Sequence, residues 1–385
     1  MVLTKTYYAP TQIISNGNFL TNLNTVVNGR SWNLVTSTSW CDQGLPGKLA
    51  DRLGKPISVI GDVPSNPPES FISDISSVKV GEVVVAVGGG SVMDGAKALV
   101  AASALGKKRS LLIEHLRLGT PLPADLKMIP LICVPTTAGT GSEVTRWATI
   151  WGEANVKYSL THNKLYPEFA ILSPEMCVSM DYELTLSSGL DAVSHAMEAV
   201  WNRNHNIFSD QMACAALTIL YNSLERCLRD ASDLESRAQV QSAATIAGLA
   251  MSTTQTALCH SISYPFTSLF SMPHGLACSF TLGAVCRFNM KVDIDRLKPI
   301  ASAFSLNSTD KLPDRINAWL IELGIGQYLE KYVNLKDLDT LDENLITRAR
   351  SKNNLRDVDE IQAKNLAKEG IMAFIPGKEI ESEVK

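Results

Sequence analysis

The segment VVVAVGGGSVMDGAKALV, residues 83–100, limits most narrowly what this chain can fold into. A run of apolar, β-branched residues ends in three glycines, and a helix-forming stretch follows directly. A buried strand that leads at once into a helix is typical of a parallel sheet with helices on both faces. Glycines at such a turn let backbone N–H groups approach a phosphate, and the positive end of the helix points to the same place. The alternative is a tight turn without a ligand.

The start of this helix carries a second signal. Ser91 and Asp94 have the S-x-x-D spacing of a capping box, which predicts that the helix begins at this point. The segment lacks the G-x-G-x-x-G pattern of the usual dinucleotide fingerprint, so a phosphate site here would not be of that type.

The rest of the chain divides into two parts of different character. Residues 95–106 predict a helix, and after about residue 180 long segments rich in Ala, Leu, Met and Glu replace the strands. We expect an α/β domain over residues 1–179 and an all-helical domain over residues 180–385, with the boundary within 171–189. Short apolar runs predict strands of the first domain within residues 31–37, 56–63, 82–88 and 128–135.

The composition excludes several classes of function. With a formal net charge of −4 and no long basic run, the chain lacks the clustered Lys and Arg that nucleic-acid binding requires. It has no stretch of about 18 uncharged apolar residues that would predict a membrane span, and no apolar secretory signal at its start. Eight cysteines without CxxC pairs are typical of reduced thiols in a cytoplasmic protein.

A loop of small hydroxyl residues follows the predicted strand at 128–135. Exposed N–H groups and hydroxyls suit a pyrophosphate or a nicotinamide carboxamide, although a polar loop without a ligand is the simpler interpretation of this loop alone. Two such loops after strands of one sheet favour a ligand at the carboxyl ends of the strands. The hydroxyl residues are Thr136, Thr137, Thr140, Ser142 and Thr145.

An acidic residue and three histidines form a candidate metal site. Asp191 and His195 lie four residues apart in a helical segment, and therefore share one helix face. His260 and His274 lie in apolar surroundings, and the prolines at 265 and 273 exclude one continuous helix between them. Each pair alone fits a solvated helix face or buried core histidines. Together they suit a borderline divalent ion, Fe(II) or Zn(II), with a position left for substrate.

Four motifs occur in order along the chain: GGGSxxDxxK at 88–97, PTTAGTGSE at 135–143, DxxxHAxE at 191–198, and a histidine at 260 followed by PHG at 273–275. This combination resembles the iron-containing (group III) alcohol dehydrogenases over nearly the whole chain. The resemblance implies a nucleotide-binding α/β domain similar to that of dehydroquinate synthase, followed by an all-α metal-binding domain. It implies that the metal ligands are Asp191, His195, His260 and His274. It implies that a nicotinamide dinucleotide contacts Gly89, Gly90, Ser91, Asp94, Thr136, Thr137, Thr140, Ser142 and Lys157.

Longer segments around these motifs are similar to the branch of that family linked to phosphonate metabolism. Reductases of phosphonoacetaldehyde and sulfoacetaldehyde belong to or near that branch, which implies a metal-dependent, NAD(P)H-linked reductase of a small anionic two-carbon aldehyde. A guanidinium suits sulfonate or phosphonate oxygens. Arg146, after the Thr-rich loop, and Arg203, after the metal helix, are the candidates for this contact, and either also fits a solvated surface position.

Three positions depart from the family pattern. Tyr264 stands where many members carry a histidine, so a phenol would relay the proton or else line the cleft. Ser37 stands where NAD-preferring relatives carry an acidic residue that binds the ribose hydroxyls, so NADP(H) is a cofactor candidate beside NAD(H). Ser173 stands where relatives often have the Asp of an Asp-Pro pair.

Other functions compete with this one. A general primary alcohol or lactaldehyde dehydrogenase would use the same metal and cofactor without the arginines. A lyase resembling dehydroquinate synthase shares the architecture, but typically has a glutamate where Asp191 stands. A nucleotide-binding regulatory or structural protein with this fold is a third alternative, but the presence of all four presumptive metal ligands argues against it. The ligand set suits iron and zinc equally, and the family is commonly homodimeric or larger.

Overall fold

The structure is a computed structural model that describes residues 6–375, apart from residues 16, 76, 154–155 and 342–344 and the side chains of 339–340. Contacts within the chain define two compact units. One unit spans Tyr8–Met180, and the other comprises the described residues from Asp181 onward together with Thr6 and Tyr7.

The described residues of the first unit form a parallel sheet of six strands in the order β1-β8-β5-β4-β2-β3. Strands β6 and β7, which lie between β5 and β8 in the sequence, form a separate antiparallel hairpin. The parallel sheet confirms the fold class expected from the alternating pattern. The strands are β1 Gln12–Ser15, β2 Trp32–Val35, β3 Ser58–Ile60, β4 Val83–Gly88, β5 Leu131–Pro135, β6 Trp147–Trp151, β7 Lys157–Thr161 and β8 Phe169–Leu172.

Both faces of the sheet are covered, and β4 shows this most clearly because all six of its residues are buried. Val84 and Ala86 belong to an apolar cluster on one face, together with residues of the helix that follows β4. Val83, Val85 and Val87 belong to the cluster on the opposite face. Successive side chains of a strand point to opposite faces, so the unbroken apolar run reflects burial on both sides.

The helices of the first unit lie between these strands. They are α1 Phe19–Val27, α2 Thr38–Asp42, α3 Leu45–Leu53, α4 Glu69–Ile75, α5 Gly90–Leu105 and α6 Ser110–Leu118. The predicted helix at 95–106 corresponds to α5, but the capping-box prediction is wrong. Gly89 is the N-cap of α5, so Ser91 lies in its first turn and accepts a hydrogen bond from the Asn66 backbone N–H at 3.0 Å. The turn out of β4 places the helix start two residues before the position that the S-x-x-D spacing indicated.

The second unit is helical, as expected. Among its described residues the only extended pairing is an isolated bridge between Asn202 and Asn354. Its helices are α7 Tyr182–Val200, α8 Ile207–Arg229, α9 Leu234–Thr254, α10 Leu258–Leu269, α11 His274–Ser279, α12 Leu282–Met290, α13 Lys298–Ala303, α14 Leu312–Glu322, α15 Ile325–Leu329, α16 Asp337–Thr340, α17 Arg348–Ser351 and α18 Glu360–Phe374.

Two global expectations concern thiols and membranes. All eight cysteines are free thiols. Within the described part of the chain, no helix has both the length and the apolar character that a membrane crossing needs.

Candidate metal centre and dinucleotide site

The glycine turn and the Thr-rich loop leave the sheet side by side. Strands β4 and β5 are paired neighbours, and Gly88 at the end of β4 lies opposite Pro135 at the end of β5. The Thr136 backbone N–H donates to the Gly88 carbonyl at 3.0 Å, which ties the first residue of one loop to the end of the other strand. Both loops therefore lie at the carboxyl edge of the sheet, where ligands of open α/β sheets bind.

The glycines are required by contact between the two loops. A Cβ atom on Gly90 would lie 2.7 Å from Cγ2 of Thr140, and one on Gly89 would lie 3.2 Å from Cγ2 of Thr137. The sequence suggested only that these glycines expose N–H groups to a phosphate. The structure adds that they allow the threonines to pack against the start of α5.

A buried polar network connects helix α5 to the Thr-rich loop and fixes the loop. Lys97 is fully buried, and its Nζ donates to the Ser142 and Trp147 carbonyl oxygens at 2.7 Å each and to Ser142 Oγ at 2.7 Å. Asp94 accepts from Ser142 Oγ and from the Thr149 N–H, both at 2.8 Å. Burial lowers the pKa of Lys97 and raises that of Asp94, although each charge opposes the shift of the other. Asp94 and Ser142 thus hold the loop in place.

Three other positions that the sequence singled out, Ser37, Lys157 and Ser173, lie outside these two loops. Ser37 is the N-cap of α2, two residues past β2, and β2 pairs with β4. Lys157 begins β7, where its ammonium lies 5.5 Å from the Trp151 ring centroid, and its charge acts on Asp94. Ser173 is buried and its hydroxyl donates to Glu175 at 2.9 Å.

Helix α7 carries the first pair of candidate metal ligands. Asp181 caps α7 by accepting the Leu184 N–H at 2.8 Å, and the helix then runs without a break through Asp191 and His195. Both side chains are buried, and Asp191 Oδ1 lies 3.6 Å from His195 Nε2. The predicted shared helix face is confirmed.

Helices α10 and α11 bring the other two histidines to the same aspartate. His260 Nε2 lies 3.5 Å from Asp191 Oδ1, and the His260 ring stacks on His195 with centroids 4.9 Å apart. The His274 ring lies edge-on to His260 at 5.3 Å. A Cβ atom on Gly275 would overlap the Ser187 carbonyl oxygen, so the glycine after His274 lets α11 approach α7 closely.

The two histidines lie on separate helices, as the prolines predicted. Pro273 is the N-cap of α11, in agreement with the sequence argument. Pro265, however, lies inside α10 rather than ending it, and the helix continues to Leu269.

The donor set fits a divalent cation. Ligand atoms of Asp191, His260, His274 and Cys278 lie within 4.8 Å of one another. In the described part of the chain, neither Asp191 Oδ1 nor His260 Nε2 has a hydrogen-bond partner, although both atoms are buried. Buried polar atoms without partners are costly, and a bound cation would satisfy both. Cys278 follows His274 by one helical turn, and its Sγ lies 3.6 Å from His274 Nε2.

Glu198 orients one of the histidines, a role the sequence argument did not assign. Its fully buried carboxylate lies 2.7 Å from His260 Nδ1 and accepts the backbone N–H groups of Ala257 at 2.7 Å, Cys259 at 2.5 Å and His260 at 3.2 Å. When Nδ1–H of the neutral ring donates to Glu198, the lone pair of Nε2 is on the side of Asp191. Carboxylates commonly hold metal-binding histidines in this way.

The charges of this cluster depend on one another. Burial opposes ionisation of Asp191, but the neighbouring histidines outweigh it, and its pKa lies well below the usual value. Burial also disfavours a charged His260, but the nearby Cys278, Glu198 and Asp191 outweigh that effect, and the His260 pKa is raised. Without an ion, protons occupy the site, and a metal must displace them.

Three further candidates have protein partners. Arg146 hydrogen-bonds Asn163 and lies 5.2 Å over the Trp147 ring, in the first unit. Arg203, in the second unit, forms an ion pair with Asp357 at 2.9 Å. Tyr264 follows His260 by one turn of α10, and its hydroxyl oxygen accepts from Arg350 Nε at 3.3 Å.

Comparisons with known proteins agree over nearly the whole chain. Residues 10–174 match the model of iron-containing alcohol dehydrogenase, and residues 185–371 match the C-terminal model of the Fe-containing alcohol dehydrogenase family. A phosphonoacetaldehyde reductase of Streptomyces viridochromogenes is 34% identical over 251 residues, 64% of this chain and 63% of that protein. The match therefore spans less than two thirds of that relative.

Two other proteins extend the comparison. An alcohol dehydrogenase of Thermococcus barophilus is 34% identical over 294 residues, 74% of this chain and 76% of that protein. The crystal structure of a sulfoacetaldehyde reductase from Bifidobacterium kashiwanohense in complex with NAD+ superposes with a TM-score of 0.85 at 25% identity, covering 96% of this chain and 99% of that one.

Proposed function

Because the chain belongs to the iron-containing alcohol dehydrogenase family, we propose that it reduces a small anionic two-carbon aldehyde. The substrate is sulfoacetaldehyde, which gives isethionate, or phosphonoacetaldehyde, which gives 2-hydroxyethylphosphonate. The protein is an NAD-dependent alcohol dehydrogenase or aldehyde reductase that uses NAD(H) and a divalent metal. The observation that carries the proposal is the buried Asp–His cluster with two unpartnered ligand atoms.

The residues have distinct roles in the proposed reaction. Asp191, His260 and His274, which belong to the close set of donors, hold the metal together with His195, whose Nε2 lies 3.6 Å from Asp191 Oδ1. Glu198 keeps the Nε2 lone pair of His260 directed into the site. A metal held by these residues would supply Lewis-acid chemistry toward the aldehyde oxygen, and a bound dihydronicotinamide would supply the hydride. Tyr264 is the proposed proton donor to the developing alkoxide, since it lies one helical turn beyond His260.

The dinucleotide is proposed to bind the loops at the carboxyl edge of the sheet. Gly89, Gly90 and Ser91 offer backbone N–H groups, while Thr136, Thr137 and Thr140 offer hydroxyls beside them. Asp94 and Ser142 are proposed to act indirectly, because Ser142 Oγ donates to Asp94 and accepts from Lys97, and these bonds fix the Thr-rich loop. Ser37 leaves no carboxylate to repel a 2'-phosphate at its position, and Lys157 supplies a cation, so we propose that NADPH as well as NADH is accepted.

The anionic character of the substrate is supported by relatives that act on phosphonoacetaldehyde and sulfoacetaldehyde. Arg146 and Arg203 were the sequence candidates for the head group. The ion pair with Asp357 partly neutralises Arg203, which leaves Arg146 as the better of these two. We further propose a cytoplasmic homodimer or larger homo-oligomer.

Kinetics with a panel of aldehydes test the proposal. We expect kcat/KM for sulfoacetaldehyde or phosphonoacetaldehyde to exceed that for propanal by at least about tenfold, since a charge-assisted hydrogen bond contributes about 1.5–3 kcal/mol. Oxidation of NADH at 340 nm is the readout under standard conditions, with about 1 mM or less of each aldehyde. Equal or better use of propanal would favour a general primary alcohol dehydrogenase, the second candidate. Inactivity with every aldehyde would favour a lyase or a non-enzyme.

A further inference from the structure

Cys278 is a buried cysteine that the sequence argument did not assign to the metal site. The four ligand atoms that lie within 4.8 Å of one another belong to Asp191, His260, His274 and Cys278. In the described part of the chain, this is the one group of acidic, histidine or cysteine side chains that is spaced closely enough to share an ion. The closest donors therefore include a sulfur atom beside the carboxylate and the two imidazoles.

Helix α11 carries His274 and Cys278 on one face, because the two residues lie four positions apart. Cys278 Sγ lies 3.6 Å from His274 Nε2 and 3.7 Å from Nδ1. A Cβ atom on Gly275 would lie 3.0 Å from the backbone nitrogen of Asp191, so α11 packs closely against the turn of α7 that carries this aspartate. The close packing brings both donors of α11 to the same carboxylate.

The distances between the donor atoms fit a shared ion. In a tetrahedral zinc site, a sulfur about 2.3 Å and a nitrogen about 2.0–2.1 Å from the metal lie about 3.6 Å apart, and an oxygen and a nitrogen lie about 3.4 Å apart. The structure has 3.6 Å between Cys278 Sγ and His274 Nε2, and 3.5 Å between Asp191 Oδ1 and His260 Nε2. Both pairs of donors are thus spaced as ligands of one ion.

A hydrogen bond from the thiol to a ring nitrogen of His274 is the alternative explanation of the position of Cys278. It would account for the first distance, but it would leave two buried atoms of the same cluster unsatisfied. Asp191 Oδ1 and His260 Nε2 have no hydrogen-bond partner in the described part of the chain. Buried polar atoms without partners are costly, and an ion that binds all four donors removes this cost.

Cys286, on the neighbouring helix α12, provides a comparison. It is as fully buried as Cys278, but among the described residues it belongs to no group of closely spaced donors. Buried cysteines commonly serve as small apolar side chains, and Cys286 fits that role. Cys278 differs because its sulfur lies within 4.8 Å of ligand atoms from a carboxylate and two imidazoles.

We propose that Cys278 Sγ is a ligand of the metal ion in the substrate-free enzyme, together with Asp191, His260 and His274. The thiol binds as the thiolate and releases its proton to solvent. With His195 the site then has five protein donors, a number to which zinc in catalytic sites can expand. This inference rests on the proposed function only in requiring a metal at the Asp191 cluster, and it is independent of which aldehyde is reduced.

A sulfur donor affects which ions the site prefers, because thiolates suit zinc, whereas manganese suits oxygen donors. Loss of an outer partner of a ligand lowers metal affinity about 10- to 100-fold. We therefore expect Cys278→Ser to lower the affinity for Zn(II) by about 100-fold or more, and the affinity for Mn(II) by less. Competition with a chromogenic chelator measures both affinities. An equal loss for the two ions, or unchanged affinity for Zn(II), would contradict a bond between sulfur and metal.

Cobalt substitution tests the proposal without use of enzyme activity. Metal-stripped protein is loaded with one equivalent of Co(II) under anaerobic conditions, and its near-ultraviolet absorption is recorded. A thiolate bound to Co(II) gives an intense charge-transfer band in this region. We expect the band in the wild-type protein and in Cys286→Ser, the matched control at a buried cysteine, and its loss in Cys278→Ser. Thermal unfolding checks that each variant is folded, and a band that persists in Cys278→Ser would overturn the proposal.

The outcomes separate this inference from the proposed function. Failure of the wild-type protein to bind Co(II) would overturn the metal site, and the inference with it. Binding of Co(II) without the charge-transfer band would overturn the inference alone. X-ray absorption of the zinc-loaded wild-type protein gives a second measurement if the variants do not fold. We expect one sulfur at about 2.3 Å from zinc, and a shell of nitrogen and oxygen only would also contradict the thiolate ligand.

Discussion

Three residues around the metal site lie on one face of helix α7. Asp191, His195 and Glu198 follow the i, i+4, i+7 spacing, so the sequence already placed a third polar residue beside the two candidate ligands. The sequence could not show that Glu198 faces His260, because that contact joins residues 62 positions apart. The same spacing argument could have identified Cys278, which lies one helical turn after His274.

Glu198 gives a prediction at the scale of one residue. Glu198→Gln keeps the size of the side chain but loses the negative charge that accepts the His260 Nδ1–H and three backbone N–H groups. We expect metal affinity to fall about 10- to 100-fold. Competition with a chromogenic chelator measures the affinity, and Glu225→Gln on the surface of α8 is the matched control. Unchanged affinity in Glu198→Gln would show that the carboxylate does not support the site.

At the scale of elements, long and strongly patterned segments were predictable and short ones were not. The four predicted strands contain β2 to β5, but β1, β8 and the hairpin strands β6 and β7 were missed. β1 has four residues, mostly exposed, and carries little periodic signal. β8 ends inside the segment taken for the domain boundary, whose proline and polar residues concealed the strand. Both strands are fixed by pairing with each other, which is a long-range contact.

The contact between the two loops gives a prediction for the first unit. Gly90→Ala would place a Cβ atom 2.7 Å from Cγ2 of Thr140 and displace the Thr-rich loop. Overpacking of this kind costs about 1–3 kcal/mol, so we expect the Kd for NADH to rise about tenfold. Alanine is otherwise the better helix former. Fluorescence titration of NADH gives the Kd.

Gly47→Ala in α3 is the control for this substitution, since its Cβ would meet nothing within 4 Å. Metal content should be the same in both variants, because the metal ligands lie in the other unit. Wild-type affinity for NADH in Gly90→Ala would contradict a dinucleotide site at these loops.

At the scale of the whole molecule, the sequence was most informative where several short motifs occur in a fixed order along the chain. The two loops and the four candidate ligands could be named because their motifs are specific in combination. Lys97 received no role, because a single lysine has no local signal that separates burial from solvent exposure. Its burial and its contact with Ser142, 45 residues away in the sequence, show its role in the structure.

The coupling between metal and protons predicts how stability depends on pH. The raised pKa of His260 in the metal-free protein means that protonation contributes stability below about pH 6.5, and that this is lost as the pH rises through the folded value. A metal requires the deprotonated ring, so its affinity increases over the same range. We expect the difference in Tm between metal-loaded and chelated protein to widen from about pH 6 to about pH 8.

Thermal unfolding with and without chelator measures this difference. Asp191→Asn serves as the control, since it lacks the ligand charge and should show a small difference at every pH. A difference that stays constant or narrows with rising pH would contradict the coupling.

Metal reconstitution tests the central claim most directly, namely that this chain is a metal-dependent aldehyde reductase whose metal is held by the Asp191 cluster. Metal-stripped protein is titrated with Fe(II) or Zn(II) under anaerobic conditions, while NADH oxidation with sulfoacetaldehyde or phosphonoacetaldehyde is followed. The account predicts no turnover without metal, a linear rise to a plateau at one ion per chain, and neither binding nor turnover in Asp191→Asn. Full turnover by the stripped protein, or one tightly bound ion in active Asp191→Asn, would contradict it.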